Sequence, residues 1–353
     1  MMRRVCTRRA HLRGAVRLDA WSLVMVAALV LIAVLLVWPI GQVLTLGFVD
    51  AQTEAFTLGN YQKILTHPYY LGALKNTVVV GLGGMVGACL LGVPLAYCTA
   101  RYVVWGRSGI ATLAVLALVS PPFIGAYSWV VIAGNNGWLT QQFKAWGMVM
   151  PTIYGVHGII LVFSLKFFPF VYLMTESALR NINRSYEEAA ENLGCDAFER
   201  FFKITLPLVF PAVSAGALLS FVLSIADFGT PSIIGRDFHT LSTLAYNQYG
   251  SEMGGPPTLA VSISMLMIVI SMLAVFLQRY LMGRRRYAGA LTNPSIPRRC
   301  SGLSGVLVHA LCYGIVALAT LPTLVTILRD ISATGLGNAG IIFDGGSSAP
   351  KPM

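Results

Sequence analysis

The chain has 353 residues, 56% of them hydrophobic and only 11% charged, with a formal net charge of +11. Ordinary soluble proteins carry about 25% charged residues, so too few are present here to cover a water-facing surface. Composition therefore excludes a soluble enzyme and makes lipid the solvent for much of the molecule.

A basic arm, 1–19, opens the chain. The apolar run 21–40 follows, and about 20 such residues cross a bilayer core as a helix. It is too long for a signal-peptide core and leads into Trp38-Pro39 rather than a small-residue cleavage site, so it is expected to stay. Further spans are expected at 74–99, 110–133, 153–179, 208–228, 258–281 and 306–328. The reading is an all-α polytopic membrane protein. Glycine and proline inside the spans are tolerated because neighbouring helices re-satisfy freed backbone groups.

Cationic residues stay on the cytoplasmic side. With the N-terminus inside, 18 of the 25 Lys and Arg residues fall on cytoplasmic segments. This topology signal, set against anionic lipid heads, explains the charge without nucleic acid. The six cysteines form no C-x-x-C pair and the five histidines no metal-ligand spacing, so neither disulfides nor a metal is expected. The 335–340 stretch fits G-x-G-x-x-G, but no strand and helix frame it. No Walker A motif and no nucleophile–base constellation occur, so the chain is expected to be no enzyme and to need no cofactor.

Between the fourth and fifth spans lies a polar, helix-forming segment, 180–207. Ser185-x-x-Glu188 and Asp196-x-x-Glu199 are capping boxes that open two short helices. Gly194 between them supplies a left-handed turn, and Pro207 marks entry into the fifth span. Phe198, Phe201, Phe202 and Ile204 crowd one side of the second helix.

Glu188-Ala189-Ala190, Gly194, Ile204 and Leu206-Pro207, at their observed spacing, resemble the complete EAA loop of binding-protein-dependent ABC importer permeases. The resemblance implies a type I permease core of six spans, 20–283, with 180–207 as the loop that docks on a cytoplasmic ATPase subunit. Glu188, Ala189 and Gly194 are implied at that contact. A periplasmic solute-binding protein and a second permease half, or a homodimer partner, are implied as further partners in a bacterial inner membrane. Leu206-Pro-Leu-Val-Phe-Pro211, Asp227-Phe-Gly-Thr230 and Ser120-Pro-Pro-Phe123 look like the ferric-iron-type permeases, which often fuse two halves in one chain. Here a basic linker, 284–302, leads to a seventh span, 303–330, resembling the start of a second half. A Gly/Ser/Pro-rich tail, 331–353, is expected to be disordered. The expectation is a truncated fused permease or a true half permease with an extra span. The rival functions are a non-functional remnant and a secondary transporter.

Four residues are candidates for the solute path. Ser220 and Ser224 continue a stripe of small residues, Ala212 and Gly216, whose simpler role is close helix packing; Gly83 and Gly87 repeat the device in the second span. Asp227 is an acid near the outer interface, where it is either hydrated or part of an outer gate. Lys166 lies near the middle of the fourth span, either paired with a carboxylate on a neighbouring helix or facing an anionic solute. Trp138, Trp146, Tyr246 and Tyr249 suit the membrane–water boundary and a landing surface for a binding protein.

Overall fold

The computed structural model describes residues 20–50, 53, 55–250, 257–283, 299 and 302–334. The basic arm, nearly all of the linker 284–302, Cys6, Cys300, the 335–340 stretch and the rest of the tail lie outside them. The described residues hold helices joined by short turns, with one isolated bridge between Val49 and Phe56.

In chain order, α1 (Ala20–Ile32) runs through a π turn (Ala33–Val37) into α2 (Trp38–Leu46), forming one apolar rod. The short α3 (Gly59–Thr66) precedes α4 (Pro68–Arg101). The expected third span, 110–133, is not one straight helix. It divides into α5 (Arg107–Val119) and α6 (Pro122–Ala133), with Ser120 and Pro121 between them. The direction changes by 101° across this break. Two successive prolines explain it. Neither donates a backbone hydrogen bond, and each pushes the residue before it out of the helical region. Accordingly, Ser120 has ψ 126° and Pro121 ψ 143°.

The next elements are α7 (Trp138–Ala145), α8 (Val156–Arg180), α9 (Arg184–Asn192) and α10 (Ala197–Arg200). A second π turn (Phe201–Thr205) carries α10 into α11 (Leu206–Ala226). Then come α12 (Gly229–Ile234), α13 (Leu241–Gly250), α14 (Pro257–Gly283) and α15 (Leu303–Thr334). Among the described residues six helices are long and apolar enough to cross a membrane, or seven if the bent pair counts as one span. The last helix runs four residues past the expected end of the seventh span.

The core is α4, α8 and α11. Val171 of α8 sits between two glycines. A Cβ on Gly92 of α4 would lie 2.9 Å from the Phe168 carbonyl and 2.9 Å from Val171 Cβ. A Cβ on Gly216 of α11 would lie 2.6 Å from Val171 Cα. These glycines bring backbones into contact, which drives association where the surrounding solvent is itself apolar. Gly83 and Gly87 of α4 leave room for the side chains of Ile160 and Ser164 of α8.

Helix α15 joins this core. Cys312 and Val316 are buried in one cluster with Ile110 and Ala114 of α5 and Leu95 of α4. The Tyr313 hydroxyl donates to the Trp105 carbonyl at 2.5 Å, and the Trp105 N–H donates to His309 Nε2 at 3.2 Å.

Candidate functional site: a docking hairpin and an intramembrane ion pair

Helix α9 starts at Arg184, two residues before the Ser185-x-x-Glu188 pattern predicts. Asn183 is the cap, its side chain accepting the Ser185 N–H at 3.0 Å. Asparagine caps at least as well as serine and is reached first. At the other end Gly194 has φ +86°. Its N–H donates to the Glu191 carbonyl and the Cys195 N–H to the Ala190 carbonyl, both at 3.0 Å. This pair of bonds is the Schellman closure that a left-handed glycine allows. Asp196 caps the second helix as its pattern predicts, accepting the Glu199 N–H at 2.6 Å.

The segment is therefore helix, glycine corner, helix. The second helix does not stop at Pro207. It continues through the π turn, whose wide hydrogen bond runs from the Leu206 N–H to the Phe201 carbonyl, so α10 and α11 form one continuous rod. Across the corner Arg200 pairs with Glu191 at 3.0 Å.

Glu188, Ala189 and Gly194 are exposed together, beside Leu193 at 84% and Phe198 at 70% exposure. Ala190 does not share that face. It is buried, because it follows Ala189 by 100° around the helix and turns toward the protein. Ile204, Leu206 and Pro207 are half-buried where the rod enters the core. Phe201 packs edge-on against Tyr97 of α4 with centroids 4.9 Å apart. Phe202 stays half-exposed and packs on Phe198 at 4.5 Å.

Deeper in the bundle, Lys166 and Asp227 meet. Their Nζ–Oδ2 distance is 2.6 Å, and their side chains are 14% and 5% exposed. The other carboxylate oxygen accepts the Thr230 N–H at 3.0 Å. The Ser242 hydroxyl holds the Asp227 carbonyl at 3.0 Å. The expectation of a hydrated Asp227 is thus corrected. Helix α11 ends at Ala226, and the chain folds back through α12, covering the carboxylate that helix length alone would have placed at the surface. Lys166 also borders a cavity of about 30 Å³ at the break in the third span, lined by Ser120, Pro121 and Trp129.

Ser220 and Ser224 are buried in the helix contact. Ser220 donates to the carbonyls of Gly216 and Phe167 at 2.9 and 3.2 Å, and Ser224 to that of Ser220 at 2.8 Å. Within this chain Ser220 faces α8 and Ser224 faces Gly84 of α4, rather than open space. Trp138, Trp146, Tyr246 and Tyr249 are all exposed.

Sequence reasoning missed Glu187. Its carboxylate binds Arg101 Nη2 at 2.6 Å and accepts the Thr205 hydroxyl at 3.1 Å. The available signal was the doubled acid at 187–188, on neighbouring faces of one helix turn.

A family profile, that of the inner membrane component of binding-protein-dependent transport systems, matches residues 89–287, which contain both the hairpin and the ion pair. The chain belongs to this family. The family is one of ABC transporter permeases, not of enzymes. The ferric transport system permease protein of Actinobacillus pleuropneumoniae is 25% identical over 300 residues, covering 83% of this chain and 43% of that protein. The molybdenum transport system permease protein of Haemophilus influenzae is 28% identical over 218 residues, covering 61% and 94%. A solved bacterial alginate ABC transporter, in complex with a pentasaccharide-bound periplasmic protein, superposes with TM-score 0.60 at 16% identity. That match covers 77% of this chain and 96% of that one, and shares the fold. The permease spans about two fifths of the length of its ferric-transport relatives, 43% of the one above and 41% of another from Haemophilus influenzae.

Proposed function

We propose that this permease forms one half of the transmembrane path of an ATP-driven importer. It moves a small solute from periplasm to cytoplasm by alternating access. Its N-terminus is cytoplasmic, and the hairpin 180–207 docks on an ABC ATPase. A second permease half, or a second copy of the chain, completes the path, and a periplasmic binding protein delivers solute. Ferric iron is the best reading of that solute, on the strength of the Asp227-Phe-Gly-Thr230 and Ser120-Pro-Pro-Phe123 segments and the ferric-transport relatives. The domain plan remains the one expected from sequence: a permease unit over 20–283, a linker, and a seventh span opening a second half.

The observation that carries this reading is the hairpin's construction. Its exposed face (Glu188, Ala189, Leu193, Gly194) sits one turn from a helix that runs unbroken into the core. A push on that face crosses only the short Gly194 corner, which the Arg200–Glu191 ion pair braces, before it reaches the rod that runs into α11. When ATPase subunits close, the two hairpins of the assembled transporter approach, and the spans tilt to open outward; hydrolysis reverses this. Lys166 and Asp227 are the groups of the solute path that would exchange partners as it opens, while Ser220 keeps α11 against α8 and Ser224 against α4.

A pair of substitutions at Gly194 tests the dock. Asparagine and aspartate enter the left-handed region about equally easily among residues with side chains, and a Cβ at Gly194 meets no atom within 4 Å. Gly194→Asn is therefore expected to keep most uptake, whereas Gly194→Asp, with a charge on the docking face, loses it without losing membrane insertion. Uptake of labelled iron, molybdate and sulfate by cells carrying each variant is the measurement. Equal uptake by both charge states would remove Gly194 from the contact, and transport of an oxyanion but not iron would replace ferric iron as the solute.

A further inference from the structure

The hairpin is joined covalently to α8 through residues 181–183 and to α11 through the π turn. Helix α4, the third member of the core, has no such link. Its final residue, Arg101, instead reaches the hairpin. Arg101 binds the Glu187 carboxylate at 2.6 Å, with side-chain exposures of only 8% and 15%. Thr205, itself buried, donates its hydroxyl to the same oxygen at 3.1 Å. One carboxylate oxygen of α9 thus holds the end of α4 and the start of the α11 rod together. The Tyr97–Phe201 ring contact lies one turn above it on α4.

We propose that Arg101, Glu187 and Thr205 form a strut that makes α4 move with the docking hairpin. Glu187 and Glu188 thereby divide the work: Glu188 faces outward on the docking surface, and Glu187 faces inward. A charged pair suits this task better than an apolar contact, because once water is excluded separation leaves two unpaired charges. Helix α4 packs along α8 through Gly83, Gly87 and Gly92, so the strut closes a triangle of α4, α8 and α11 around the hairpin. This inference rests on the docking reading above, and it assigns positioning residues rather than groups that touch ATPase or solute.

The test uses the full chain assembled with its ATPase, the native cysteines replaced, and spin labels at two exposed residues outside the docking face, Lys203 of the hairpin's second arm and Leu90 of α4. The Lys203–Leu90 distance is expected to be the same in the nucleotide-free and vanadate-trapped states. In Arg101→Gln the trapped state is expected to differ by about 1–2 Å or more, the scale of helix displacements in switching proteins. Exchange of the charges (Arg101→Glu with Glu187→Arg) is expected to restore the constant distance. A merely stabilising contact would change protein yield without making the distance depend on nucleotide. A wild-type distance that changes between the states overturns the strut, as does an Arg101→Gln distance that does not. If Arg101→Gln fails to fold, Glu187→Gln, which keeps the shape and removes the charge, gives the same two readings. Failure of the wild-type chain to bind any ATPase refutes the dock instead. The strut is then read in the solubilised chain alone, where Arg101→Gln must broaden the distance distribution and an unchanged width overturns it.

Discussion

Asp227→Leu is expected to lower the amount and the melting point of the folded permease sharply, and Lys166→Met combined with it to restore both. The single substitution leaves the Lys166 ammonium, 14% exposed and 5.2 Å from the Phe167 ring centroid, without its carboxylate. Removing one partner of a buried ion pair costs about 3–5 kcal/mol, whereas replacing both by apolar groups of similar volume is near neutral. Lys166→Met is the milder single change, since Asp227 keeps the Thr230 N–H at 3.0 Å. Detergent-solubilised melting midpoints of the four proteins form a double-mutant cycle. The midpoints are expected to fall in the order wild type and double variant, then Lys166→Met, then Asp227→Leu. Uptake by the stable double variant then separates structure from transport. Loss of uptake places the pair in the solute path, and normal uptake confines it to holding α8 against the α11–α12 junction.

Gly216→Val is expected to block assembly of the core outright. The new Cβ would lie 2.6 Å from Val171 Cα, 3.0 Å from the Phe170 carbonyl and 3.0 Å from the Val171 N. All three are backbone atoms, so no rotamer change relieves the overlap and α11 must move away from α8. Overpacking that side chains can absorb costs about 1–3 kcal/mol; here the whole helix interface is lost. Gly72→Val in α4 is the control, because nothing lies within 4 Å of a Cβ there. Size-exclusion profiles of the two solubilised variants give the comparison, with a monodisperse peak expected for Gly72→Val and aggregate for Gly216→Val.

The spans were legible because twenty apolar residues in a row have few alternatives in water or lipid. The hairpin was legible for another reason. Its corner depends on one residue that tolerates positive φ, and Gly194 is visible as a letter. Helix ends were less so: Asn183 and Ser185 are both good caps, and only the backbone decides between them. The break at Ser120 was written in Pro121-Pro122, but a span-length apolar run across it concealed the turn. The Lys166–Asp227 pair was not legible as a pair. Its members stand 61 residues apart, and whether Asp227 meets water or a lysine depends on α12 folding back over it. Arg101 was read only as a topology signal, since nothing in the sequence tells that its partner is Glu187.

The central claim is that the exposed face of the 180–207 hairpin is gripped by an ATP-hydrolysing protein. A photo-crosslinking residue at Leu193, in intact membranes of the native host, measures this directly. The account predicts capture of a single nucleotide-binding protein from the cytoplasmic side, lost in Gly194→Asp and kept in Gly194→Asn. Capture of no nucleotide-hydrolysing protein, or labelling of Leu193 only from the periplasmic side, would contradict it.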